Sequence, residues 1–330
     1  MCFALKNGAC SQGSRECRGV FFAGHSALSG VRASLERFQT LAYPVKHHGF
    51  SMNPFQVRLM ASLETCHWWY RATHQLVLDA LLAFSDRSAR ILDVGCGTGG
   101  LLRHLRSFHF RTGLEPDPGA LRFARRRESP GLGPEFLQGD IQSLSGLEAA
   151  PFDCVTCVDV LYHRQVENWQ EALAVMVSKL RTGGLLVLQV PAWECLSGAH
   201  DRAVDGVRRF RREPVEQYLG GIGFEILVSS YRFSWLFPGM FFLRGWERLF
   251  KKKRLHSNDL TRFSRSLRPF GRAAHQILLG IALYENSLLL SGFRFPVGSS
   301  LFVVARKRVA VEETGSRNGP EFGVSQIPTP

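Results

Sequence analysis

The run Asp93-Val94-Gly95-Cys96-Gly97-Thr98-Gly99-Gly100 is the densest chemical signal in the chain. An acidic side chain closes a short apolar stretch, and glycines then recur at every second position. Glycines in such a turn let the backbone double back and approach a ligand closely, because no Cβ intrudes. A second carboxylate, Glu115, follows Gly95 by 20 residues. At the end of a neighbouring strand, that spacing suits an acceptor for both hydroxyls of a ribose. Three further polar residues invite a chemical role. His163 follows a strand-like run, and His200 with Asp201 follows another. Each is a candidate base or orienting group, although a loop cap or an exposed histidine accounts for them equally simply.

These residues need a scaffold, and the hydrophobic pattern supplies one. Strand and helix signals alternate, as in a parallel α/β sheet. Helical spacing predicts His74–Phe84, Leu101–Phe108, Pro118–Arg127, Trp169–Leu180 and Pro214–Leu219. Short apolar or β-branched runs predict strands at Arg90–Val94, Arg111–Leu114, Pro134–Leu137, Phe152–Val158, Leu185–Val190, Phe224–Tyr231 and Ser300–Ala305. Gly183-Gly184 is expected to end the helix before the fifth strand. The expected fold is therefore α/β and Rossmann-like, with about seven strands, mostly parallel. A helical insert, about 233–298, separates the last two strands. The glycine turn then sits at the carboxyl end of the first strand, where open α/β sheets bind ligands.

The glycine spacing fits either a dinucleotide, since Gly95-x-Gly97-x-x-Gly100 completes that fingerprint, or S-adenosylmethionine. The residues around it favour the second. Ile91 through Gly99 closely resembles motif I of the class I S-adenosylmethionine-dependent methyltransferases. Gly113-Leu114-Glu115-Pro116 resembles their ribose-binding motif, with Glu where Asp is commoner. Gln138-Gly139-Asp140-Ile141 resembles their adenine-binding motif. Phe152 through His163 is similar to the fourth-strand motif, and Arg181-Thr182-Gly183-Gly184 to the loop before strand five. The likeness runs over roughly Cys66–Lys307. It implies a methyltransferase with S-adenosylmethionine as cofactor, held by Asp93, Gly95, Cys96, Gly97, Gly99, Glu115, Pro116, Asp140, Ile141 and Asp159. In particular it implies that Asp140 accepts from the adenine amino group and that the Ile141 backbone meets the ring edge. His67-Trp68-Trp69-Tyr70-Arg71 resembles the lead-in of a bacterial subfamily, and His200-Asp201-Arg202 with Arg208-Arg209-Phe210 a later stretch of it. There Asp205-Gly206 replace a Gly-His pair, so any role of that histidine is missing here. Arg71 is a candidate partner for the cofactor carboxylate, against a plain surface arginine. Trp68, Trp69 and Tyr70 read as a lid over the cofactor or as core.

Methyl transfer needs positioning and water exclusion more than a catalytic motif, with a base useful where the acceptor is a hydroxyl. His163, His200 and Asp201 are the catalytic candidates, and no metal ligand set is expected. The acceptor is expected to be a small or lipid-like molecule. The alternatives are a nucleic-acid methyltransferase and a non-catalytic binding protein. The chain carries a net charge of +13, which favours anionic partners. However, Asp159-Val160-Leu161-Tyr162 stands where base aminomethylases carry a proline pair, and no RNA-binding module is evident.

The 330 residues hold no apolar run of the roughly 18 needed for a membrane helix. The eight cysteines are scattered; Cys154 and Cys157 lie inside a strand pattern and read as core rather than as a metal site. A reducing, cytoplasmic setting is the expectation. Residues 1–51, rich in Ser, Gly and Arg, read as a disordered or non-native extension, with a targeting peptide as a third reading. Residues 52–310 form the expected domain, and 311–330 a disordered tail. The insert combines an aromatic stretch, Trp235–Leu243, with the basic run Lys251-Lys252-Lys253-Arg254. That pairing suits peripheral contact with an anionic membrane, or else an ordinary solvated face.

Overall fold

The structure, a computed structural model, describes residues 54–128, 133–148, 151–198, 201–202, 204–250 and 271–309, with backbone alone at 247–250. Both termini, His200 and the Lys251–Arg254 run lie outside the described residues.

Two helices precede the sheet. Helix α1, Pro54–Cys66, opens with proline at its first turn, where a missing N–H costs nothing. Helix α2, Trp68–Phe84, starts six residues before the apolar periodicity alone predicts. It is capped by His67, whose Nδ1 accepts from Trp69 N at 3.3 Å. Along α2, Ala72, Leu76, Val77, Ala80 and Leu81 are fully buried, one stripe at helical spacing.

That stripe meets one face of a seven-stranded sheet: β1 Arg90–Val94, β2 Phe110–Glu115, β3 Glu135–Gln138, β4 Phe152–Val158, β5 Leu180–Pro191, β6 Phe224–Arg232 and β7 Ser300–Lys307. The spatial order is β3-β2-β1-β4-β5-β7-β6. The first five pair in parallel, and β7 runs antiparallel between β5 and β6. Side chains alternate across the sheet. Ile91, Cys154 and Val187 face α2, while Leu92, Val155 and Leu186 face the opposite core with α5, Trp169–Ser178, and α6, Arg212–Gly221. Each such fully buried aliphatic side chain stabilises the fold by about 1.5–3 kcal/mol. The same alternation puts Cys154 and Cys157 on opposite faces of β4, so they cannot chelate one ion. Both are buried, and burial pushes the Cys154 thiol up to about 11.

Gly183-Gly184 does not end a helix. Helix α5 stops at Ser178, and β5 already begins at Leu180. Gly183 sits inside the strand with φ +75°, where the register against β4 shifts between Phe152 and Cys154. A positive φ within a strand marks a bulge, and the two-glycine signal is the same for a bulge as for a helix stop.

Two short helices flank the turn after β1: α3, Gly100–His104, and α4, Pro118–Arg126, the latter capped by Asp117 accepting from Ala120 N at 2.7 Å. The insert falls between β6 and β7 as expected. It opens with a 3-10 turn, Ser234–Leu236, and continues as α7, Phe237–Phe250, and α8, Arg272–Leu290. Trp68, Ala72, Phe233, Leu279 and Ala282 form a buried cluster that seats the insert on α2.

Candidate active site

At the end of β1 the chain turns through Gly95, Gly97 and Gly99, with φ of +75°, +55° and +79°. A Cβ on Gly95 would lie 2.3 Å from Val160 Cγ2, so the turn and the end of β4 pack backbone against side chain. Glu115, at the end of β2, holds the turn from below. Its carboxylate accepts from Gly97 N at 2.9 Å and from Asp117 N at 3.0 Å, one bond to each oxygen. Asp93 is held in turn by Thr156, whose hydroxyl donates to it at 2.7 Å.

Three buried carboxylates, Glu64, Asp93 and Glu115, and the half-buried Asp159 converge here. Burial raises Asp93, Glu115 and Asp159 each to about 7. Thr156 partly offsets this at Asp93, the Asp117 and Gly97 N–H groups at Glu115, and Gln189, Arg232 and Arg209 at Asp159. Burial also raises Glu64 on α1, which bonds Thr98 and pairs with Arg127 at 2.8 Å. Repulsion among these acids adds to the shifts at Asp93 and Glu115. Such a group of carboxylates favours a cationic occupant.

They border a cavity of about 570 Å³ at the carboxyl ends of the parallel strands. Its floor is Asp93, Gly95, Cys96, Gly97, Glu115 and Pro116; Asp159, Val160, Tyr162 and His163 form the wall after β4. The opposite wall is α1 and α2, through Met60, Glu64, Trp68, Trp69 and Tyr70, and the insert adds Leu236 and Met240. Trp68 is buried with its ring edge-on to Phe233 at 5.5 Å, so it is core and cavity wall together.

His163 presents its ring to this cavity, and its Nδ1 lies 2.9 Å from Val204 O. A neutral imidazole that donates from Nδ1 to that carbonyl leaves Nε2 as the acceptor. Burial lowers its pKa, against the Val204 bond, the charge of Asp205 and a bond to the Asp159 backbone, and this favours the neutral form. Asp201 also reaches the cavity, but it is engaged. It accepts from Gly198 N at 2.8 Å and forms a buried ion pair with Arg209 at 2.9 Å. That pair clamps the loop after β5 rather than leaving a free base. At 205–206, a Cβ on Gly206 would come within 2.6 Å of the Tyr162 ring. This chain places Tyr162 where a larger residue at 206 would stand. Asp159, with φ +52°, accepts from Gln189 Nε2 at 3.1 Å. Gln189 in turn accepts from the wholly buried Arg232 at 2.7 Å, which also donates to Thr73 and Asn286.

Four sequence candidates do not line the cavity: Gly99, Asp140, Ile141 and Arg71. Asp140 and Ile141 lie one strand further out, and Asp140 accepts from Ser143 N at 2.9 Å. Arg71, exposed on α2, faces a neighbouring cavity instead, because α2 turns it away from the glycine loop. His200 lies outside the described residues. Conversely, Glu64 and Gln189 belong to the site and carry no local sequence signal, while Thr156, Tyr162 and Arg209 lie in motifs that gave them no role. Their roles depend on contacts across distant parts of the chain, 34 residues from Glu64 to Thr98 and 63 from Asp93 to Thr156.

Residues 91–184 match a family described as a methyltransferase domain. The chain is 33% identical over 138 residues to a ubiquinone biosynthesis O-methyltransferase of Methylocella silvestris, covering 41% of this chain and 51% of that protein. It is 30% identical over 161 residues to a malonyl-[acyl-carrier protein] O-methyltransferase of Enterobacter lignolyticus, covering 46% and 62%. It thus spans about half the length of the curated relatives it matches. Among solved structures, a SAM-dependent methyltransferase from Archaeoglobus fulgidus aligns with a TM-score of 0.45 at 17% identity, covering 75% of this chain and 99% of that one.

Proposed function

We propose, from the premise that this chain carries a class I S-adenosylmethionine-dependent methyltransferase domain, that its central cavity binds S-adenosylmethionine and that the chain methylates a small or lipid-like acceptor. The observation that carries this reading is the meeting of the left-handed glycine turn, Glu115, the buried Asp93 and the half-buried Asp159 on one cavity. The donor set fits the cofactor. Each Glu115 oxygen is used once by the backbone and keeps a lone pair for a ribose hydroxyl. The surrounding carboxylates offset a sulfonium and an ammonium charge. The cofactor supplies an electrophilic methyl group on sulfur.

The chain's own residues then have three tasks. Asp93, Gly97 and Glu115 bind and orient. Trp68, Trp69 and Tyr70, with Leu236 and Met240 of the insert, line the other side and exclude water. His163 Nε2 takes the proton released by a hydroxyl acceptor, while Val204 O holds Nδ1 and fixes the ring. Asp140 and Ile141, one strand out from the cavity, are adenine contacts only if the cavity extends toward them on binding.

The lipid-like class is supported by α7. Its first turn lines the cavity, yet Phe242 and Trp246 are 74% and 63% exposed, beside exposed Phe241 and Leu243. The sequence continues into Lys251-Lys252-Lys253-Arg254. An apolar helix face next to basic charge suits the surface of an anionic bilayer. Among the described residues, no helix is long and apolar enough to cross a membrane. Incubation with methyl-labelled S-adenosylmethionine and fractionated metabolite and lipid pools tests the proposal. Label transferred to a defined acceptor supports it; cofactor binding without transfer to any pool argues for a binding protein.

A further inference from the structure

A second cavity, of about 520 Å³, opens beside the first between α1, α2, α3 and α8. Its polar wall holds Arg71, His104, Arg106, Ser107 and Arg127. Arg127 is committed to Glu64 at 2.8 Å. The guanidinium groups of Arg71 and Arg106, both exposed, make no hydrogen bond or ion pair with any described residue. Both stand close enough to His104 to hold its pKa below the usual histidine range, after burial and against Asp79. The Ser107 hydroxyl oxygen is buried and has no partner.

Guanidinium groups only donate, so two of them free of protein partners beside a buried, unpartnered hydroxyl suit an occupant rich in acceptors. Arginine's planar fork matches phosphate oxygens, and charge-assisted bonds of this kind are the strong ones. Leu78, Leu279 and Leu283 add an apolar patch, and Glu64, Gln75 and Arg103 extend the polar lining. We propose that this cavity is a second binding site, for a phosphate-bearing ligand whose phosphate lies between Arg71, Arg106 and Ser107 and whose remainder rests on the three leucines. Glu64 and His74 border both cavities, so the new site shares a wall with the first. It does not depend on what the first cavity binds.

Calorimetric titration of the full chain with inorganic pyrophosphate at low salt tests this. Saturable one-to-one binding is expected. Arg71→Gln and Arg106→Gln should each weaken it about tenfold or more, as expected for loss of a hydrogen bond to a charged group. The exposed Arg308→Gln serves as control and should bind normally. S-adenosylhomocysteine affinity, measured on the same proteins, should be unchanged by Arg71→Gln, which shows the variant folded and separates the two sites. No saturable binding would overturn the proposal. Equal binding by the double Arg71→Gln, Arg106→Gln variant would overturn it as well, as would binding of a single-stranded oligonucleotide without any binding of pyrophosphate. Loss of S-adenosylhomocysteine rather than pyrophosphate in Arg71→Gln would return that arginine to the first cavity.

Discussion

The carboxylate of Glu115 accepts the backbone N–H of Gly97 at 2.9 Å, so the end of β2 fixes the turn that follows β1. One residue therefore shapes the glycine loop and offers its remaining lone pairs to a ligand. Glu115→Ala should weaken S-adenosylhomocysteine binding by about 1.5–3 kcal/mol, the range for hydrogen bonds to a charged group. Glu115→Gln keeps one acceptor oxygen and should lose less. Calorimetry on both variants checks the ranking; equal, wild-type affinity in both would remove Glu115 from the site.

The buried acids predict a specific pH dependence. Asp93, Glu115 and Asp159 are raised to about 7 from the ordinary carboxylate values of 3.8, 4.5 and 3.8. A carboxyl whose folded pKa is raised binds its proton more tightly when folded. Its contribution is complete below the unfolded pKa and is lost as pH rises through the folded one. The ligand-free thermal midpoint should therefore fall between about pH 4 and about pH 7.5. The affinity for S-adenosylmethionine, which carries a sulfonium, should rise over the same range relative to neutral-sulfur S-adenosylhomocysteine. A constant affinity ratio from pH 5.5 to 8 would show that these acids do not face the sulfur.

His163 should matter for turnover and not for cofactor affinity. With a hydroxyl acceptor, His163→Ala should lower kcat by about 10²–10⁴-fold, the usual worth of a general base. Because burial lowers its pKa, the wild-type rate should stay level through neutral pH and fall only on the acid side. A variant with normal kcat on the identified acceptor would leave His163 as a wall residue.

The aromatic face of α7 predicts binding to vesicles of anionic lipid that weakens as salt rises. Neutralising Lys251, Lys252, Lys253 and Arg254 should reduce it, and so should Phe242→Ser with Trp246→Ser. Co-sedimentation reads the result. No pelleting at low salt would leave α7 as a packing or oligomer element.

Local signals in the sequence carried the sheet and the loop. Strands β1 and β4 span the residues their apolar runs predict, because burial on both faces leaves little freedom at their ends. The glycine turn and Glu115 fall where their spacing puts them. Other features depend on contacts that no local run of residues encodes. Gly183-Gly184 is a punctuation mark whose meaning, bulge or stop, depends on the neighbouring strand β4. Helix α2 begins early because His67 caps it, and histidine is not among the usual caps. Arg71 follows the aromatic lead-in, yet helical rotation turns it toward another cavity. Glu64 is an ordinary acidic residue in a helix until Thr98 and Arg127 meet it across the fold.

The proposed S-adenosylmethionine site rests on the turn at Gly95–Gly99. It is tested most directly by titrating S-adenosylhomocysteine and NAD into the wild-type chain and into Gly97→Val. Gly97 has a left-handed φ of +55°, and its Cβ direction points at Met60 Cε, 3.0 Å away on the cavity wall. Valine there costs about 1–2 kcal/mol in backbone strain and fills ligand space. The wild type should bind S-adenosylhomocysteine tightly and one-to-one and NAD far more weakly, and a Gly97→Val protein that keeps its circular dichroism spectrum should lose S-adenosylhomocysteine binding. Tight NAD binding with no S-adenosylhomocysteine binding, or an unaffected Gly97→Val variant, would contradict this assignment.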